Sequence, residues 1–111
     1  MAHAGDHDFE SGRGGDTSIY GKYFDDENLD LKFSKPYLLA MDQSGPNKNG
    51  SKFIITFVEK PNLNGRSVIF GELLEGFDVI KMIEEAGGQD GKLTKPVKIT
   101  WSGVIRKKKW L

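Results

Sequence analysis

Two histidines and two aspartates, His3, Asp6, His7 and Asp8, fall close together near the start of the chain and carry atom types that could hold a divalent cation. Their spacing fits no metal motif, so the stretch reads as a solvated loop and no metal is assigned. Gly12-Arg13-Gly14-Gly15 could offer backbone N–H groups to a phosphate, but a phosphate loop needs a strand before it and a helix after it. Neither is indicated, and the run reads as a turn. At the far end, Arg106-Lys107-Lys108-Lys109-Trp110-Leu111 joins basic charge to an aromatic ring, as nucleic-acid contacts or a nuclear-import signal would. A basic extension also keeps a neighbouring strand edge from aggregating, and that reading is preferred here. The absence of cysteine removes thiolate catalysis and disulfides, and leans toward a reducing compartment.

The densest polar stretch lies mid-chain, from Met41 to Thr56. Pro46 fixes one backbone angle, Gly45 and Gly50 permit positive φ, and Asn47 and Asn49 are able to bond their own backbone. Such a loop is compact and rigid, and rigid loops between strands are good places for function.

Short apolar runs must position it. Tyr37 to Met41 reads as a strand opened by Lys35-Pro36, with the proline at a tolerated edge position. Phe53 to Val58 is β-branched and aromatic throughout and reads as a strand buried on both faces. Asn64-Gly65 gives a type I′ turn signal before a third strand, Ser67 to Leu73. From Phe77 to Ala86, apolar groups at 79, 80, 83 and 86 follow helical spacing, with Gly76 before and Gly87-Gly88 after. Val97, Ile99 and Trp101 alternate with period two and mark a fourth strand over 96–105. Residues 17–33 read as a long surface loop that covers the core without forming it.

The whole is mainly β with one α-helix. A chain of 111 residues fits a single domain, and its 14 glycines point to many turns. No apolar run approaches the roughly 18 residues needed to span a bilayer, and the first residues lack the order of a signal peptide. The expectation is a soluble protein of the cytoplasm, with the nucleus as the alternative. Net charge is zero, yet residues 1–34 hold eight acids against three bases and residues 92–111 hold seven bases and no acid. Zero net charge gives no global repulsion against self-association.

The order Gly14-Gly15, Ser18-Ile19-Tyr20-Gly21, Phe24-Asp25-Asp26-Glu27-Asn28, Ser44-Gly45-Pro46-Asn47, Asn49-Gly50-Ser51 and Val68-Ile69-Phe70-Gly71 resembles that of the cyclophilins. These are prolyl cis–trans isomerases built on an eight-stranded antiparallel barrel capped by two helices. The resemblance covers the C-terminal two thirds of that domain, with Met1-Ala2-His3-Ala4-Gly5-Asp6 similar to the family's Met-x-Gln-Gly-Gly-Asp segment. It implies a partial cyclophilin-like antiparallel β-barrel over 1–105, followed by the basic tail 106–111. A barrel without its first strands would expose two edges and the apolar faces of Phe53, Ile55, Val68, Phe70 and Ile99. Completion by self-association, by a partner chain or by rearrangement is therefore expected.

The chemistry implied is rotation about an X–Pro bond, whose partial double bond imposes a barrier of about 18–20 kcal/mol. A hydrogen bond donated toward the prolyl nitrogen weakens that double bond, while an apolar pocket grips the ring. Neither nucleophile, metal nor cofactor is required. The family's donor is an arginine on a strand that this sequence does not include, and Arg13, Arg66 and Arg106 stand at no matching position, so no catalytic residue is assigned. The resemblance places ten residues in the substrate groove. Met1 and Leu63 match the family; His3 stands for glutamine, Ile54 for phenylalanine, Asn62 for tryptophan or histidine, and Ser67 for histidine. Asp42-Gln43-Ser44 replaces Ala-Asn-Ala, and Lys52 replaces glutamine. A preserved frame beside an altered groove implies a binding or scaffold protein with weak or no isomerase activity, its partner a proline-containing peptide or protein. The alternative is an active isomerase whose site another segment or chain completes. A nucleic-acid-binding module working through the tail is the third reading.

Overall fold

At the centre of the sheet Leu38, Leu39, Ala40 and Met41 form a strand that pairs on both sides, and its inward residues Leu38 and Ala40 are buried. The structure is a computed structural model and describes residues 1–5, 17–88 and 92–105. Asp6, His7 and Asp8, the glycine run 12–15 and the tail 106–111 lie outside the described residues. The elements in chain order are β1 (Ala2–Ala4), β2 (Leu38–Met41), β3 (Phe53–Ile55), a 3-10 turn (Pro61–Leu63), β4 (Ile69–Glu72) and α1 (Phe77–Ala86).

The four strands form one antiparallel sheet in the order β1-β3-β2-β4. Among the described residues it is open, not closed into a barrel. His3, Ile54 and Ala40 stand opposite one another across three strands and so share a face. That face carries the core of Phe33, Leu38, Ala40 and Ile54, with Leu63 and Ile69 packed against it. Leu38 and Ala40 are spaced by two along β2, and Ile54 and Ile69 stand opposite Ala40 on β3 and β4, which is why one face sinks and the other is only half-buried.

Four expectations change. Phe53 to Val58 is not buried on both faces: only Phe53–Ile55 pairs as strand, Ile54 and Thr56 point inward, and Val58 is exposed. The buried Thr56 is tolerated because its hydroxyl accepts the Leu38 N–H at 3.1 Å and its own N–H reaches the Leu38 carbonyl at 3.0 Å. Tyr37 does not open β2, because it takes a left-handed φ of 65° and directs its ring edge-on against Phe77, with centroids 5.4 Å apart.

Phe33 belongs to the core at 1% exposure, although the segment before it covers the surface. Its N–H donates to Asn64 Oδ1 at 2.7 Å and its carbonyl accepts from Lys60 N–H at 3.0 Å, so the turn at 60–67 holds it down. Residues 96–105 form no strand and are exposed throughout. Their alternation gives a face, but a strand also needs a paired edge, and no strand among the described residues lies beside them. Of the apolar residues expected to be bared, Val68 is buried while Phe70 and Ile99 are exposed.

The helix keeps the bounds that its periodicity predicts, with Ile80 and Ala86 buried. Gly76 precedes it at a left-handed φ of 84°, and Gly87 ends it, its N–H bonding the Glu84 carbonyl at 3.1 Å. No helix among the described residues is long and apolar enough to cross a membrane.

Candidate functional site: a cleft walled by the β2–β3 loop

The loop joining β2 to β3 is closed at its root by Asp42 N–H donating to the Lys52 carbonyl at 3.1 Å. At its tip Lys48 N–H donates to the Gly45 carbonyl at 3.1 Å, with Pro46 second and Asn47 third in the turn. Asn47 has φ 58°, a left-handed value that asparagine tolerates better than most residues, and proline already holds the preceding angle.

Asp26, from the long segment before β2, braces this loop from outside. Its Oδ1 accepts Asn49 Nδ2 at 2.7 Å and Gln43 Nε2 at 3.1 Å, and its Oδ2 accepts Asn47 N–H at 3.3 Å. In return Asp26 N–H donates to Asn47 Oδ1 at 2.9 Å. Asn49 is buried, donates also to the Phe24 carbonyl at 3.1 Å, and exchanges backbone hydrogen bonds with Phe24 at 2.9 and 3.2 Å. Its side-chain oxygen has no donor among the described residues. The acidic run at 24–28 and the Asn47–Asn49 run are thus two halves of one polar clasp.

On the other flank, β1 docks against the loop root. His3 Nδ1 lies 2.9 Å from Asp42 Oδ2, and Ser51 Oγ donates to the Gly5 carbonyl at 2.6 Å. Gly5 has φ 91°, and a Cβ there would overlap the Ser51 carbonyl oxygen, so only glycine fits this crossing. The Met1 amino group is held below its ordinary pKa, first by burial and then by Lys60, with Glu84 opposing.

Between the loop and the turn at 60–67 lies a cleft of about 500 Å³, a volume usual for ligand sites. Asp42, Gln43, Ser44, Leu63 and Ser67 line it together. The 3-10 turn sets its floor: Leu63 points inward against the core while Asn62 faces solvent. The following turn is not type I′. Asn64 at φ −58°, ψ 131° and Gly65 at φ 75°, closed by Arg66 N–H to the Leu63 carbonyl at 3.0 Å, have the angles of type II.

Of the other residues assigned by resemblance, Met1, His3, Lys52 and Asn62 do not line this cleft, and Ile54 lies beneath it in the core at 2% exposure. Pro46, in the loop that the sequence marks as rigid, lines it too, and so do Leu29, Asp26 and Arg66, which the sequence reading did not assign to it. Among these three, only the acidic run around Asp26 gave any signal. Lone Leu29 and Arg66 carry none, since proximity across a turn is not written in local spacing.

The chain thus joins an antiparallel sheet to a largely apolar cleft between a braced inter-strand loop and a short turn. The family model described as cyclophilin type peptidyl-prolyl cis-trans isomerase/CLD matches residues 1–104. The chain is 47% identical over 111 residues to peptidyl-prolyl cis-trans isomerase 9 of Caenorhabditis briggsae and 46% over 110 residues to that of Caenorhabditis elegans. Each alignment covers 98% of this chain and 35% of the relative, so the chain spans about a third of their length. A crystal structure of a Cryptosporidium parvum cyclophilin type peptidyl-prolyl cis-trans isomerase superposes with a TM-score of 0.73 at 40% identity, over 84% of this chain and 59% of that one. The same protein crystallised in the presence of the dipeptide Ala-Pro gives a TM-score of 0.71 at 40% identity, over 82% and 59%. The chain belongs to the cyclophilin-type peptidyl-prolyl cis-trans isomerase family.

Proposed function

We propose that this chain binds proline-containing segments in the cleft between the β2–β3 loop and the 60–67 turn, as a binding or scaffold protein with weak or no isomerase activity of its own. The observation that carries this reading is the convergence of Asp42, Gln43, Ser44, Leu63 and Ser67 on one cleft. Leu63 supplies apolar surface for a ring, and Gln43 and Ser44 supply polar groups for the flanking backbone. His3 orients Asp42 from β1 and Ile54 supports Leu63 from the core, while Met1, Lys52 and Asn62 stand outside the cleft itself. Residues 1–105 act as one unit in this reading, with 106–111 an appended tail, and the location is cytoplasmic. The open sheet is completed in solution by self-association or by rearrangement.

Weak turnover is read from the altered groove, in which Asp42, Gln43, Ser44, Lys52, Ile54, Asn62 and Ser67 stand where the family pattern has other residues. A donor aimed at the prolyl nitrogen is the largest single contribution expected of such a site, and Arg66, which lines the cleft, stands at no position matching the family's donor. The second reading, an active isomerase completed by another segment or chain, draws support from the names of the nematode relatives. NMR exchange spectroscopy on an Ala–Pro peptide separates the two. Peptide-induced shifts at 42–44 and 63 with cis–trans exchange at the uncatalysed rate are expected; exchange well above that rate, abolished by a groove-blocking cyclic peptide, would refute the inactive reading.

A further inference from the structure

The charged side chains that line the cleft between the β2–β3 loop and the 60–67 turn are Asp26, Asp42 and Arg66. Lys48 and Lys52 belong to the same loop but do not line it. Both oxygens of Asp26 are occupied, by the Asn49 and Gln43 amides and by the Asn47 N–H. Those donors are neutral, so the negative charge of Asp26 stays in the cleft wall.

Asp42 is placed differently. Its N–H bonds the Lys52 carbonyl at 3.1 Å, which pins its backbone, and its Oδ2 lies 2.9 Å from His3 Nδ1. In its neutral form the His3 ring donates from Nδ1 without cancelling the carboxylate charge. Oδ1 has no hydrogen-bond donor among the described residues, and the side chain is 34% exposed. Asp42 is thus a carboxylate held by one oxygen with the other left to accept. Arg66, on the facing turn, is exposed and makes no ion pair with either aspartate among the described residues. A guanidinium on a long exposed stem is screened by salt and loses rotamer freedom on pairing, whereas a short carboxylate already oriented loses little. Two carboxylates against one guanidinium leave the cleft negative on balance.

We infer that Asp42 selects, among proline-containing segments, those that carry a lysine or arginine next to the proline, its Oδ1 accepting from the cationic side chain while the ring lies against Leu63. This rests on the reading that the cleft binds proline-containing segments, and it adds the charge that such a segment carries.

NMR titration of the isotope-labelled full chain with the capped tripeptides Lys-Pro-Lys, Ala-Pro-Ala and Glu-Pro-Glu tests it, at about pH 8, above the ordinary titration range of histidine. A charge on both neighbours makes the result independent of the direction in which the peptide lies. Lys-Pro-Lys is expected to shift the amides of 42–44 and 63 and to bind about fivefold or more tighter than Glu-Pro-Glu, with Ala-Pro-Ala between them. Added salt is expected to compress that ratio. Asp42→Asn, which keeps an oxygen toward His3 and removes the charge, is expected to bring the ratio near one. Asp42→Ala, which installs the residue of the family pattern, is expected to do the same, and Arg66→Gln is expected to widen it. Equal or reversed affinities in the unaltered chain, or a ratio that neither substitution at Asp42 moves, would overturn the selection by charge and leave the cleft standing as a proline site. No shift at 42–44 and 63 with any of the three peptides would overturn both readings together.

Discussion

Replacing Asp26 by alanine tests whether the β2–β3 loop owes its shape to the segment that crosses it. The carboxylate accepts three hydrogen bonds, but they are unequal. Asn49 is 1% exposed and donates at 2.7 Å, so losing its charged acceptor costs about 1.5–3 kcal/mol. Gln43 Nε2 and the Asn47 N–H lie nearer solvent and turn to water, at about 0.5 kcal/mol each, the lower end for an ordinary hydrogen bond. The sum is about 3 kcal/mol, a large share of the roughly 5–15 kcal/mol that holds a small domain folded. Urea unfolding followed by far-UV circular dichroism reads this as a lower midpoint at unchanged slope. Thermal unfolding reads it as a fall of about 10–20 °C. Asn49→Ala in the same background isolates the pair, with a coupling of about 1–2 kcal/mol expected between the two sites. An Asp26→Ala cost below about 0.5 kcal/mol, or strict additivity with Asn49→Ala, would refute the clasp.

Gly5→Ala puts a methyl group onto the Ser51 carbonyl at a left-handed φ; a cost of about 1–3 kcal/mol is expected, read by hydrogen exchange as lost protection at Ala2–Ala4 while β2 stays protected. Phe33→Ala empties the largest fully buried side chain and should cost about 3–5 kcal/mol in the same urea titration. The Met1 amino group has its folded pKa below the ordinary 8.0, so the unfolded chain binds more protons in the window below that value. Stability should therefore rise with pH up to about 8 and fall as pH drops through the folded pKa, and N-terminal acetylation should flatten that slope.

The elements legible in the sequence were those whose signal is local. The helix at Phe77–Ala86 followed from its spacing and bounding glycines, and the loop at 42–52 from its Pro, Asn and Gly content. What stayed hidden depends on distant partners. Phe33 looked like one more aromatic in a loop, because the Asn64 side chain and Lys60 N–H that seat it lie about 30 residues away. Asp26 looked like one acid in an acidic run, and only the fold shows that it receives three donors. Residues 96–105 showed the converse: their alternation was clear, yet period alone does not supply an edge. For the site, resemblance gathered five residues that do converge, while Leu29 and Arg66 reach the same cleft from positions that no local spacing marks.

The register of the sheet also orders its assembly in time. Met41 and Phe53 face each other across β2 and β3 with one loop between them, whereas Ala2 meets Ile55 only after half the chain has intervened. Loop-closure entropy grows with the intervening length, so the β2–β3 hairpin is expected to nucleate and β1 to dock last. Pulse-labelled hydrogen exchange should then find Ile54 protected before His3. On a ribosome the N-terminal strand would wait until residue 55 had left the exit tunnel, and the rigid loop that walls the cleft would be a folding seed before it was a binding surface.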